Sequence, residues 1–172
     1  MLVLTAAGTT LAAVTAPPRH AVPRTAVKAR HARPHVNVKL VRRLRGTVWR
    51  WQAVMGMRRA SSKAPLRTSR ALGYWRQQVR RISRVAAHPP HKTGWLCIHR
   101  FEGSWSDSSD PYWGGLQMDR GFMEHYAPRV LLKRGWADKW TPLEQMWVAE
   151  RAHRAGRGYY PWPNTARSCG LI

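Results

Sequence analysis

The chain has 172 residues and carries 30 Lys and Arg against 8 Asp and Glu, a formal net charge of +22 with His neutral. All eight acids lie between Glu102 and Glu150, which excludes carboxylate chemistry from the first 94 residues, where 20 of the basic side chains sit. A stretch so charged, and scattered with proline, is a poor donor to a hydrophobic core, so the compact domain is expected in the C-terminal part.

Residues 1–16 read as an export signal. Residues 2–16 are apolar or small and end in Ala13-Val14-Thr15-Ala16, with small side chains where a signal peptidase cuts, before Pro17-Pro18. The run is shorter than the ~20 residues a bilayer requires, so no stable membrane span is expected. Residues 17–35 are Pro, Ala, Arg and His without apolar periodicity, the pattern of a solvated linker.

Residues 36–91 form a basic helical region. Leu40, Val41, Leu44, Val48, Trp51 and Met55, three and four apart, stripe one face of a helix or bent helix pair, against which Gly46 and Gly56 count. Ser61-Ser62-Lys63-Ala64-Pro65 breaks the pattern. Ser69 is then expected to cap a helix with Leu72, Trp75, Val79, Ile82 and Ala86 on one face and arginines around the rest, stopped by Pro89-Pro90.

In residues 93–172, Thr93 is expected to cap a helix ending at Phe101 or Glu102, with Gly103 as its left-handed terminator. Residues 104–111 are turn-forming, and Tyr112 to Met118 reads as one Gly-bent arm of a small hairpin. Asp119 to Tyr126 is expected to be helical. Thr141-Pro142-Leu143-Glu144 is a capping box that opens a helix toward Gly156, and Tyr159-Tyr160-Pro161-Trp162-Pro163 cannot be regular helix. The fold class is therefore α+β: a small, mainly helical domain with a short β-hairpin, preceded by the basic region. Cys97 and Cys169, the only cysteines, bracket this domain. Paired, they close a loop of about 70 residues at a gain of about 4 kcal/mol; unpaired, they are two buried thiols.

Glu102 stands at a helix end between Phe101 and Trp105. A carboxyl group held against aromatic rings is desolvated and its neutral form favoured, which is what a general acid in glycosidic cleavage needs. Trp105, Tyr112 and Trp113 offer flat faces for sugar rings, and Gln117 offers both donor and acceptor. The alternative is that Glu102 ends a surface helix and the aromatics fill a core.

The ordered motifs Glu102-Gly103-Ser104-Trp105, Tyr112-Trp113-Gly114-Gly115-Leu116-Gln117, Val148-Ala149-Glu150-Arg151, Trp162-Pro163 and Cys169-Gly170 resemble the catalytic domain of the resuscitation-promoting factors. These are transglycosylase-like, lysozyme-fold enzymes of actinobacteria that cleave peptidoglycan. The resemblance covers residues 95–172. It implies a catalytic acid/base role for Glu102 and a glycan cleft formed by Trp105, Tyr112, Trp113 and Gln117, with no cofactor. Phe101 stands where the family's pattern has a cysteine, and Cys97, one helical turn earlier, can still face Cys169. Between Met118 and Thr141, the segment containing Arg129 to Trp140 has no evident family counterpart.

In this reading Glu102 protonates the bridging oxygen of a MurNAc–GlcNAc β-1,4 bond. Attack by the MurNAc 6-hydroxyl gives an anhydro sugar without a second carboxylate. Attack by water makes Asp107 or Asp110 a candidate partner, although both also suit turn formation in Ser106-Asp107-Ser108-Ser109-Asp110-Pro111. Cys97 and His99 point in different directions on a helix, against a Cys/His peptidase, and the histidines form no ligand set for a metal. Trp136, Trp140 and Trp147 read as core, and Glu124, Glu144 and Glu150 as helix residues.

The basic half suits polyanions: teichoic or other acidic wall polymers, anionic lipid, or nucleic acid. For a secreted, wall-associated enzyme with peptidoglycan glycan strands as substrate, acidic wall polymers are the economical partner and nucleic acid is not expected. Rival readings are a basic polyanion- or nucleic-acid-binding protein, for which a pI of 11.7 argues, and a non-catalytic wall-binding module.

Overall fold

Asn37 opens the first helix, α1 (Val38–Val54), by accepting a hydrogen bond from the Leu40 N–H at 3.1 Å. Here a computed structural model describes residues 36–172; the expected export signal and linker lie outside the described residues. Val41, Val48 and Val54 of α1 are fully buried, and exposed Gly46 does not interrupt the helix. Gly56, at φ +69°, turns the chain out of α1.

The second helix, α2 (Ser69–Ala86), buries Ala71, Trp75, Ile82 and Ala86 on one stripe. Its cap is Thr68, one residue before the expected Ser69, whose side chain accepts from the Ala71 N–H at 3.2 Å. α1 and α2 pack on each other, with Trp49 edge-on to Trp75 at 6.2 Å.

These helices also pack on the C-terminal part. The expectation of a core confined to that part does not hold, because one cluster runs from Val41 and Val48 through Trp75 to Trp95, Leu131, Val148 and Trp162. All described residues belong to one compact unit. Each fully buried valine or isoleucine contributes up to about 1.5–3 kcal/mol. Most charged residues of α1 and α2 face outward, Arg50 turning inward to Glu144, and leave the apolar stripes free to join this core.

The helix α3 (Lys92–Glu102) starts earlier than expected, with His91 rather than Thr93 at its cap. No side chain caps it. Gly103 ends it at φ 147°, ψ −165°, an extended mirror conformation reserved for glycine rather than the left-handed helical one. The segment expected to supply one arm supplies both but for Asp119, which was expected in the helix that follows: β1 (Tyr112–Trp113) pairs antiparallel with β2 (Met118–Asp119), Tyr112 opposite Asp119 and Trp113 opposite Met118. Asp119 caps α4 (Arg120–Tyr126), and α5 (Arg129–Leu132) and a 3₁₀ turn (Ala137–Lys139) follow. The fold is thus mainly helical with one short hairpin.

Thr141 and Glu144 form the expected capping box at the start of α6 (Pro142–Ala152). One wider turn, His153–Arg157, follows. Beyond the irregular Tyr159 to Trp162, Pro163 opens a short helix, α7 (Pro163–Ser168). α6 is the central strut. Its Glu144, with no exposure, receives Arg50 from α1 and Arg134; Trp147 Nε1 donates to the Ala86 carbonyl at 2.9 Å; Arg151 and Arg154 donate to the Ala53 and Met55 carbonyls at the end of α1. Cations at a helix C-terminus meet unpaired carbonyls and the negative end of the dipole. Among the described residues no helix is long and apolar enough to cross a membrane.

Candidate active site

Glu102, the last residue of α3, is half-buried, and its Oε1 accepts a hydrogen bond from the Thr165 hydroxyl of α7 at 2.8 Å. The two helices that meet here are joined covalently. Cys97 of α3 and Cys169, which follows α7, form a disulfide with Cα atoms 6.0 Å apart, and no free thiol remains.

The aromatic surroundings differ from those expected. Phe101 turns to solvent, 59% exposed. Trp105 stacks on His99 with ring centroids 3.9 Å apart, and its ring adjoins Gly115 so closely that a Cβ there would lie 2.6 Å from it. His99 Nδ1 lies 3.1 Å from the Gly115 carbonyl, so the ring carries its proton on Nδ1 and donates it. These contacts fix the hairpin turn against α3, one helical turn before Glu102.

Gln145 fixes the same turn from below. Its amide has no exposure and is fully used: Oε1 accepts the Gly115 N–H at 2.9 Å, and Nε2 donates to the carbonyls of Trp105 and Ala137, each at 2.8 Å, and of Trp140 at 3.2 Å. One side chain of α6 thus ties together the loop after Glu102, the hairpin and the 3₁₀ turn.

Gln117 adopts φ 46°, uncommon for a residue with a side chain. Its Nε2 donates to Asp107 Oδ2 at 2.8 Å and to the Gly114 carbonyl at 2.9 Å. Both amide hydrogens are therefore committed, which leaves Oε1 as the part able to accept from a ligand. The Gln117–Asp107 pair lies beside Gly103: a Cβ there would be 3.4 Å from Gln117 Nε2 and 3.5 Å from Asp107 Oδ2. Those are ordinary contact distances, so it is the backbone conformation at φ 147°, rather than space, that requires glycine next to Glu102.

Asp107 also accepts the Ser109 N–H at 3.0 Å. Hydrogen bonds from Ser109, its side chain first and then its backbone, and from Gln117 hold the Asp107 carboxyl below the usual aspartate range. Its geometry is that of a turn-forming side chain. Asp110 is exposed, at the rim of the same loop.

Tyr112 and Trp113 are successive strand residues, so their side chains project to opposite faces and cannot form one platform. Trp113 meets Trp136 at 5.8 Å, and Arg120 lies over Trp136 at 5.6 Å; Tyr112 is 48% exposed. Trp136 is half-buried beside the hairpin, whereas Trp140 and Trp147 are core as expected.

The remaining acids have other partners. Glu124 pairs with Arg120, Asp138 with Lys139, and Asp119 caps α4. Glu150, without exposure, accepts the His91 N–H at 2.7 Å and Trp95 Nε1 at 2.9 Å, with His91 Nδ1 at 3.1 Å. Glu102 is thus the one carboxylate whose sole hydrogen-bond partner among the described residues is a hydroxyl from a distant helix.

Thr165 and Gln145 were not picked out by sequence reasoning, and His99 was weighed only as half of a Cys/His pair. Gln145 left a signal, an amide amid the apolar run of α6. Thr165, 63 residues from Glu102, left none. Among the described residues no group of three His, Cys, Asp or Glu side chains could hold a metal ion. Comparison with protein families, curated proteins and solved structures finds no match to this chain.

Proposed function

We propose that this chain is a secreted, wall-associated peptidoglycan glycosidase of the resuscitation-promoting factor type, acting in cell-wall remodelling or resuscitation. Glu102 protonates the oxygen between MurNAc and GlcNAc and, as carboxylate, then accepts the proton of the incoming nucleophile. The observation that carries this reading is the state of the eight acids. Seven are bound into ion pairs, caps, turns or core, or lie exposed on a loop, whereas Glu102 is half-buried at a helix end and has the Thr165 hydroxyl as its one hydrogen-bond partner among the described residues.

The loop geometry favours one chemistry over the other. Asp107 accepts from Ser109 and Gln117, one bond on each oxygen, which fixes it in the turn and, by holding its carboxyl below the usual aspartate range, makes it a weak base for activating water. Attack by the MurNAc 6-hydroxyl requires no second carboxylate and is the route we favour. Gln117 Oε1 and the exposed ring of Tyr112 are the cleft groups still free to meet a glycan.

Mass spectrometry of fragments released from purified peptidoglycan tests the reaction. Fragments with 1,6-anhydro ends support it. Reducing ends, heavier by one water, would replace it with hydrolysis, and no release at all would overturn the glycosidase reading.

A further inference from the structure

Residues 36–91 hold fourteen Lys and Arg and no acid. Among the described residues, the one of these that forms an ion pair is Arg50, with Glu144. Residues 1–35 contain no carboxylate either, so they offer no neutralising partner.

The charge on α2 is ordered. Arg76, Arg80 and Arg84 recur every four residues and are exposed, with exposed Arg81 beside them, while Trp75 and Ile82 face the core. A rise of 1.5 Å per residue spaces the three about 6 Å apart in a line along the helix. Like charges four residues apart oppose helix formation. Within this fold the stripe therefore carries a stability cost, and among the described residues it makes no hydrogen bond or ion pair that offsets it.

We propose that this stripe docks an extended polyol-phosphate polymer, the acidic polymer of a cell wall, and so holds the enzyme in its substrate layer; the choice of partner rests on the peptidoglycan reading above. Guanidinium groups bind phosphate through paired N–H donors. A line of them suits a chain with one phosphate per repeat. A lipid surface fits less well, because an interfacial helix inserts an apolar face and that of α2 is already buried in the core. Single-stranded nucleic acid fits less well too, because the aromatic rings of α2 are engaged elsewhere: Trp75 is 2% exposed, and half-buried Tyr74 packs edge-on against it with its hydroxyl donating to the Ser61 carbonyl.

The test uses the full chain and a variant with Arg76, Arg80, Arg81 and Arg84 all changed to Gln. Binding is measured over a range of salt to purified walls, to the same walls after acid extraction of their phosphate polymers, to duplex DNA and to phosphatidylglycerol vesicles. Wild type should bind intact walls roughly tenfold or more tighter than extracted ones, with affinity falling as salt rises; the variant should lose this difference, and its slope of log affinity against log salt should shrink by about 3. A variant melting temperature no lower than wild type confirms that folding is not the cause. Equal binding to both wall preparations, or tighter binding to DNA or vesicles than to intact walls, overturns the proposal. Cleavage of soluble, phosphate-free glycan fragments separates the two readings: a chain retained by the polymer that cleaves no fragment loses the glycosidase assignment and keeps the docking surface, and one that cleaves without being retained loses the surface.

Discussion

Thr165 donates its hydroxyl hydrogen to Glu102 Oε1 at 2.8 Å, 63 residues along the chain, and so positions the proposed acid from a different helix. The same hydroxyl lies 3.3 Å from the Trp162 carbonyl, which sets its orientation. Misplacing a catalytic group by about 1 Å can cost on the order of 100-fold in rate. Thr165→Val, which keeps the shape and removes the donor, is therefore expected to lower kcat about 10- to 100-fold with little change in KM. Thr165→Ser should restore most of the activity. Equal loss in both variants would show that packing rather than the hydroxyl matters.

Gln145 makes four hydrogen bonds without exposure. Gln145→Leu leaves the Gly115 N–H and three carbonyls without this partner, and should cost about 3–5 kcal/mol by urea unfolding, with activity lost alongside. A cost below about 1 kcal/mol would mean that the hairpin is held by other contacts.

The disulfide closes a loop of 72 residues between α3 and α7. Its removal by Cys97→Ala with Cys169→Ala is expected to cost about 2–5 kcal/mol. At this chain length the melting temperature should fall by on the order of 10 °C. Calorimetry checks it, and an unchanged melting temperature would show that the core alone fixes Glu102 against α7.

His153 stacks on His91 at 4.0 Å and lies edge-on to Trp95 and Tyr159. Burial, and then the neighbouring His91, push its pKa below the ordinary 6.5, with Glu150 opposing them. A histidine with a lowered folded pKa binds its proton more readily when unfolded. As pH falls below about 6.5 the unfolded state therefore takes up more protons, and stability declines until pH passes the folded pKa. His153→Gln should flatten this decline, read as urea midpoints between about pH 7 and pH 5. Parallel curves for the two proteins would contradict it.

Local chemistry was legible wherever neighbours in sequence are neighbours in space. Thr141 and Glu144 announce their capping box within four residues, and the apolar spacing of Trp75 and Ile82 marks the buried face of α2. Caps one residue apart were not separable: Thr68 and Ser69 have the same chemistry, and backbone geometry alone picks Thr68. Net charge misled about the core. Arg50 contributes its charge to the count that set the basic half aside, yet it joins α1 to Glu144, and Val41 and Val48 lie beneath the arginines. The candidate site was legible at Glu102 itself, through its motif. Its support was not, because Thr165 and Gln145 reach their partners through tertiary contacts that leave no local pattern.

The central claim is that Glu102 supplies the proton for glycosidic cleavage, and Glu102→Gln tests it most directly. The amide keeps the size of the side chain and its acceptor for Thr165 but cannot act as an acid or base. Release of soluble fragments from purified peptidoglycan should fall by at least about 100-fold, with circular dichroism and melting temperature close to wild type. A folded Glu102→Gln protein that releases fragments at the wild-type rate would contradict the account.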